Sequence, residues 1–246
     1  SKYGSSIDDI LIALNEERER ISVLNDYDSY LQKLEQQLAK KEKELAQISD
    51  EVSEIRQRSA VKLVSEIKSA LNDLNFLDVQ FDMQFDRLPD YTANGIDAPE
   101  FLISTNPGEP LKPLGRVASG GELSRIMLGI KTIMAENDHI ESLIFDEIDS
   151  GISGRTAQMV SEKMNELGRN HQIICITHLP QIAAMADAHF LIEKAVENKS
   201  TVSRIHRLDD KDSVAELARM LGGAKITDTV MESAREMKAL AMEKKI

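Results

Sequence analysis

The stretch that most constrains the fold of this chain is Leu143-Ile144-Phe145-Asp146-Glu147-Ile148-Asp149. Three large apolar residues run straight into two adjacent carboxylates. This is the pattern of a short buried strand of an α/β sheet that carries charge at its C-terminal edge, where such sheets bind ligands. Downstream, Ile173-Ile174-Cys175-Ile176-Thr177-His178 repeats the design, an apolar run ending in polar residues. Upstream, Ser119-Gly120-Gly121-Glu122 opens a helix that carries Ile126, Met127, Ile130 and Ile133.

Each of these segments has a plain reading and a chemical one. Ser119 and Glu122 sit at the spacing of a capping box. Two glycines in a first helical turn weaken the helix, however, and suit a backbone that must be approached closely. The N–H groups and the serine hydroxyl at such a helix start form an anion site, and a phosphate fits it. Asp146-Glu147 reads either as a solvated turn or as a division of labour. In the second reading Asp146 holds Mg²⁺ through water, and Glu147 orients and deprotonates the attacking water. Asp149 follows the turn and would pin the far wall of the site. His178 is either an ordinary strand-end histidine or, at the same sheet edge as the acids, a sensor of a terminal phosphate.

The N-terminal third obeys a different period. Ser5 and Ser6 cap an amphipathic helix through Ile7, Ile10, Leu11 and Leu14 that extends to about Leu24. From there Leu24, Leu31, Leu38, Leu45 and Val52 form one seven-residue series, and Tyr27, Leu34, Lys41, Ile48 and Ile55 form the other. The residues between them are mostly Gln, Glu and Lys. The result is a narrow-striped helix about 48 Å long that needs a partner along its length. No matching series lies downstream, so the partner strand is missing or belongs to another molecule. The phase then slips, and Ala60, Leu63, Ile67, Leu71 and Leu74 lead into a globular region.

At Leu77 the period becomes two. Leu77, Val79, Phe81, Met83 and Phe85 alternate with polar residues as in a half-buried antiparallel strand. Turns are expected at Pro89-Asp90 and Asn94-Gly95, and a returning strand at 100–105. Helices at 122–136, 154–168, 180–186, 212–221 and 228–244 then alternate with strands at 142–146, 171–177, 188–194 and 201–207. That order predicts an α/β fold with a largely parallel central sheet.

Composition narrows the function. With 246 residues, 4% aromatics, no Trp and 29% charged residues, one domain plus an extended segment fits better than two compact domains. A net charge of −12 argues against a broad nucleic-acid surface on this chain. The single cysteine, Cys175, lies in an apolar run, excludes an internal disulfide and reads as a small buried side chain. No long uncharged apolar stretch or signal-like start is present, so a soluble cytoplasmic protein without membrane contact is expected. The opening Ser1-Lys2-Tyr3-Gly4 reads as a cut inside a longer chain. A serine hydrolase reading of Gly151-Ile152-Ser153-Gly154 fails, because Arg155 occupies the second glycine position of the nucleophile elbow.

Taken in order, Ser119 to Glu122, Leu143 to Asp149, and Thr177-His178 resemble the signature loop, Walker B strand, D-loop and switch histidine of ABC-type ATPase heads. A long heptad helix joined to such a head resembles the structural-maintenance-of-chromosomes group. Asn106-Pro107-Gly108-Glu109-Pro110, the run Val117 to Arg125, the run Phe145 to Gly154, and Ile176 to Ala183 are similar to segments of the bacterial RecN family of DNA-repair proteins. One motif departs from the pattern. No Gly-x-x-x-x-Gly-Lys-Ser/Thr phosphate loop (Walker A) occurs.

The resemblance therefore implies the C-terminal half of an ABC-type head preceded by a returning coiled-coil helix. Residues 1–75 would form the arm and 76–246 the lobe. It implies ATP and Mg²⁺ as ligands, with Asp146 on the metal, Glu147 and His178 catalytic, and Ser119, Gly120, Gly121, Glu122 and Asp149 on nucleotide. The implied partners are an N-terminal half-head carrying the phosphate loop, a second head across ATP in a homodimer, and DNA near the nucleoid in double-strand-break repair. Binding would close the dimer and hydrolysis would open it. The rival readings are a non-catalytic coiled-coil interaction module and a chromosome-organising head.

Overall fold

A computed structural model of the chain describes residues 6–117, 119–135, 140–197, 200–223 and 225–245, with the side chains of 195–200 left aside. The expectations placed on Ser1 to Ser5, Ala118 and Glu136 lie outside the described residues. Two compact units emerge. One draws on the chain up to Arg58 together with Arg87–Ala98, and the other on Ser59–Asp86 together with the chain from Pro99 onward.

Helix α1 (Ile7–Asp73) is continuous where the sequence suggested an early helix followed by a heptad run. Its start is a reciprocal cap: the Ser6 N–H donates to Asp9 Oδ2 at 3.0 Å, and the Asp9 N–H donates to Ser6 Oγ at 3.2 Å. The heptad stripe is solvent-facing, with Leu24, Tyr27, Leu38, Ile48 and Ile55 all more than half exposed. The helix ends because Asn75 turns left-handed, with φ at 69°. Phe76 N then reaches Leu71 O at 3.1 Å and Asn75 N reaches Asn72 O at 3.0 Å, a Schellman closure whose apolar partners, Leu71 and Phe76, are both core residues.

In the first unit a short hairpin segment is held to α1 by polar groups. Asp97, with a side chain 6% exposed, accepts from Ser53 Oγ at 2.7 Å and from Arg56 Nη1 at 2.8 Å. Arg87 pairs with Asp50 at 2.9 Å. The strands involved are β1 (Gln80–Thr92) and β2 (Gly95–Ser104), and the turn between them uses Gly95 at φ +94°. The turn expected at Pro89-Asp90 does not form; both residues continue β1. This strand lies at the edge of the three-stranded sheet β1-β2-β3, where β3 is Lys112–Pro113, and an edge strand tolerates the missing proline N–H. Leu77, expected on the inward face, is 74% exposed, because the alternating strand starts only at Gln80.

The second unit holds the core. Ile67, Leu71 and Leu74 of α1 pack with Phe81, Ile103, Ile126, Leu128, Phe145, Ile148, Val160 and Leu167. Helix α2 (Gly120–Met134) approaches closely through Gly129, where an added Cβ would stand 3.1 Å from Leu71 Cδ2. Strands β4 (Ser142–Phe145) and β5 (Gln172–Cys175) flank helix α3 (Gly154–Leu167) and pair in parallel, with Phe145 level with Cys175. Burial pushes the Cys175 thiol up to about 12, with Asp149 and Asp146 adding to the shift, so the sulfur is an inert half-buried side chain.

Helices α4 (Pro180–Ala184), α5 (Asp210–Gly222) and α6 (Asp228–Glu243) share a smaller alanine-rich core around Leu217. Strands β6 (Phe190–Glu197) and β7 (Ser200–Arg207) form an antiparallel pair. The largely parallel sheet read from the sequence is therefore corrected. Only β4 and β5 run parallel among the described strands, since the two residues separating β6 from β7 allow only an antiparallel return. No described helix is long and apolar enough to cross a membrane.

Two outcomes follow from this packing. Leu71→Ala, which opens a cavity under Gly129, should cost about 3 kcal/mol in denaturant unfolding. The Ser53 hydroxyl, and then Arg56, holds the Asp97 carboxyl below its ordinary value. A depressed folded pKa gives stabilisation that is complete above the unfolded value of about 4 and lost as pH falls through the lower folded one. Hydrogen-exchange protection of residues 87–98 should thus drop in acid in the wild type, and already be low at neutral pH in Asp97→Ala.

Candidate functional site

The site is built where β4 and β5 end. Their parallel register continues one step past the strands, as Ile176 N donates to Phe145 O at 3.0 Å, so the residues that follow each strand emerge side by side. Those residues are Asp146 to Ser150 on one side and Thr177-His178 on the other. Asp149 joins them. Its side chain, 5% exposed, accepts at Oδ2 from Thr177 Oγ1 at 2.6 Å and from the His178 N–H at 2.8 Å, and lies 3.0 Å from His178 Nδ1. Thr177 Oγ1 also accepts from the Leu179 N–H at 3.0 Å, which fixes the chain entering α4.

Helix α2 is fastened to the same turn. Ser119 is its N-cap and accepts from the Glu122 N–H at 3.4 Å. Ser124 Oγ donates to Asp146 O at 3.0 Å, and Arg125 Nη1 donates to Ile148 O at 3.2 Å and to Ser150 O at 2.9 Å. Arg125 is buried, with its guanidinium 5.6 Å from the Phe76 ring centroid. Burial pulls its pKa down, and Glu122 opposes that pull.

Both glycines of the helix start are explained by this contact. A Cβ on Gly121 would meet Ser150 Cβ at 2.8 Å, Glu147 O at 3.0 Å and Ser150 O at 3.2 Å. A Cβ on Gly120 would meet only the mobile end of a side chain, Glu147 Oε2, at 2.9 Å. Gly121 is therefore required by the chain's own backbone. Gly120 keeps open the space between the helix start and a carboxylate.

Glu147 is a non-glycine residue in the left-handed region, at φ 56°. The turn that holds it there is closed by Ser150 N on Glu147 O at 3.0 Å and by Glu147 N on Asp146 Oδ1 at 2.9 Å. Asp146 and Glu147 are exposed, and the His178 side chain is 73% exposed. Among the described residues no group of three or more His, Cys, Asp or Glu is placed to cage a metal. One exposed carboxylate with a free oxygen fits Mg²⁺, which keeps most of its waters, and does not fit a cation that demands a full protein shell. Beside the helix start a cavity of about 160 Å³ is lined by Asn106, Glu109, Lys112, Ser119 and Glu122. There Asn106, and then Lys112, hold the Glu109 carboxyl below its usual range.

Every residue singled out from the sequence thus lies at one sheet edge or on the helix start packed against it. Sequence reasoning missed Thr177, Ser124 and Arg125 as parts of the site. Ser124 and Arg125 fall inside the run Val117 to Arg125 that the resemblance singled out, and no role was read for either.

No family model matches the chain. A protein named DNA repair protein RecN from Bacillus subtilis (strain 168) is 41% identical over 251 residues, covering 96% of this chain and 44% of that relative. The protein of the same name from Halalkalibacterium halodurans is 39% identical over 244 residues, covering 98% of this chain and 43% of its own length. The crystal structure of an Smc head domain with a coiled coil and joint, derived from Pyrococcus yayanosii, superposes with a TM-score of 0.57 at 19% identity, over 87% of this chain and 39% of that one. That likeness concerns the fold, and the long helix followed by mixed α/β elements is the C-terminal half of an ABC-type head with its coiled coil. The chain is homologous to these RecN proteins and spans less than half the length of the curated relatives it matches.

Proposed function

We propose that the chain is the C-terminal half-head and returning coil of a DNA double-strand-break repair ATPase. The observation that carries this reading is the level ending of two parallel strands, which brings Asp146, Glu147 and His178 to one edge beneath a glycine-opened helix.

When bound, ATP with Mg²⁺ supplies the terminal phosphoryl group that passes to water. Asp146, with Oδ1 engaged by the Glu147 N–H, offers its other oxygen to the metal or a metal-bound water. Glu147 has an exposed carboxylate on a rigid turn and serves to orient a water and take its proton. His178, with an exposed ring, would serve as the sensor of the terminal phosphate. Ser119 Oγ and the N–H groups of Gly120 and Gly121 stand at the start of a 15-residue helix, where an anion is favoured, and serve the nucleotide held by a second head.

Two surfaces support the proposed partners. Ile144, Ile174 and Ile176 on the outer face of β4 and β5 are 69%, 46% and 50% exposed, although parallel strands are ordinarily covered on both faces. An N-terminal half-head carrying the phosphate loop is the cover this reading assigns. The solvent-facing heptad stripe of α1 is assigned to the outgoing strand of the coil. DNA is assigned to the complete assembly, because net charge on this chain is −12.

The chain alone should show little or no metal-dependent ATPase, and clear turnover lost in Glu147→Gln would overturn that expectation. Coexpressed with the N-terminal half, it should form a stable complex whose DNA-stimulated hydrolysis falls by about a hundredfold or more in Glu147→Gln while nucleotide is still bound. An interaction module without catalysis would form the complex and gain no hydrolysis. The two glycines should separate in the same assay. Gly121→Ala should lower both the melting temperature and the ATPase rate, whereas Gly120→Ala should leave melting unchanged and lower the rate alone.

A further inference from the structure

We infer that Asp149 is a positioning residue that acts through His178: it fixes the ring in the tautomer with hydrogen on Nδ1, leaving Nε2 as the only ring nitrogen free to face a bound nucleotide. This inference rests on the ATPase reading above only for its catalytic consequence. The geometry stands apart from that reading.

Asp149 is buried at 4% exposure, while the His178 side chain is 73% exposed. A carboxylate in such a place needs donors, and Oδ2 has two, Thr177 Oγ1 at 2.6 Å and the His178 N–H at 2.8 Å, with His178 Nδ1 beside the same oxygen at 3.0 Å. A bare Nδ1 lone pair 3.0 Å from an accepting oxygen is repelled, so this closeness favours a hydrogen on Nδ1. The backbone N–H of His178 is bound to the same oxygen that its Nδ1 faces, so the other ring nitrogen is presented away from Asp149. The outward Nε2 is then an acceptor in the neutral ring and a donor in the protonated one. Asp149 itself is buried, and its Oδ2 accepts from within the chain. Its contribution is orientation rather than contact with nucleotide, as in the outer-shell partners that fix metal-bound or catalytic histidines.

The test uses the chain labelled with ¹⁵N-histidine and two-bond ¹H–¹⁵N spectra at a pH where the ring is neutral, with His178→Gln to assign the resonance. The wild type should give the Nδ1–H pattern for His178, and Asp149→Ala should lose that preference. If Asp149→Ala does not fold, the wild-type pattern decides. A folded wild-type chain with His178 in the Nε2–H form overturns the assignment. In the complete assembly Asp149→Asn should lower kcat by about 10–100-fold with KM held within about twofold. Combining it with His178→Gln should add little to the loss from His178→Gln alone. A double variant that loses the product of the two single effects overturns action through the histidine. A wild-type assembly that does not hydrolyse ATP refutes the ATPase reading and leaves the tautomer to decide for Asp149.

Discussion

The parallel pairing of β4 with β5 is the constraint from which the rest of the site follows. Parallel strands with aligned residues send both chains off the same edge, and here Phe145 and Cys175 are level, with one more ladder bond from Ile176 N. A shift of one residue would turn Phe145 out of the core and carry Asp149 away from Thr177. Burial of Phe145, Leu143, Ile173 and Cys175 against the core fixes that register, so apolar packing sets the positions of the polar groups. The sequence separation between Asp149 and His178 is wide, yet their contact depends on only two four-residue strands.

The turn after β4 then has to be held against its own preference. A left-handed glutamate at Glu147 costs about 1 kcal/mol or more, and nothing in its side chain compensates for it. The compensation comes from α2. Arg125 places a charged donor on two backbone carbonyls of the turn, Ile148 O and Ser150 O, and hydrogen bonds to charged groups contribute about 1.5–3 kcal/mol each. Ser124 adds a third bond, on Asp146 O. The balance favours the strained turn. The glycines at the helix start belong to the same account, since those bonds can form only if α2 approaches within the distance that a Cβ on Gly121 would block. Helix, strain and acidic turn are therefore one mechanical unit.

Much of this was legible in the sequence because it rests on periodicity. The seven-residue stripe of α1, the alternation from Phe81 to Phe85, and the apolar runs before Asp146 and Thr177 are each repeats that a pleat or a helical turn reads directly. Where the reading failed, the deciding physics was not periodic. Pro89 stays in β1 because the strand is an edge, which depends on what pairs beside it. Leu77 is exposed because Asn75 and the closing bond from Phe76 delay the strand by three residues. Gly121 was read as room for a ligand, and its first requirement is the chain's own backbone at Glu147 and Ser150. Thr177 was named beside His178 but given no role, because its hydroxyl bonds a residue 28 positions earlier, which no local pattern shows.

Burial sorts the three acids of the turn by what each is free to do. Asp149 is enclosed, and its Oδ2 takes two donors with the His178 ring beside it, so that oxygen is committed to shape. Asp146 is exposed and gives one oxygen to the Glu147 N–H, which orients the carboxylate and leaves the other oxygen open. Glu147 is exposed, and its carboxylate is held by geometry alone, through a turn that points it toward the start of α2. Three carboxylates within four residues would repel one another if they shared one environment. Placing one in the core against hydrogen-bond donors and two at the water-facing edge separates a structural charge from the two that chemistry can use. The sequence order Asp-Glu-Ile-Asp achieves this with a single apolar residue: Ile148, fully buried, anchors the middle of the turn and forces the acids before and after it onto opposite sides of the edge.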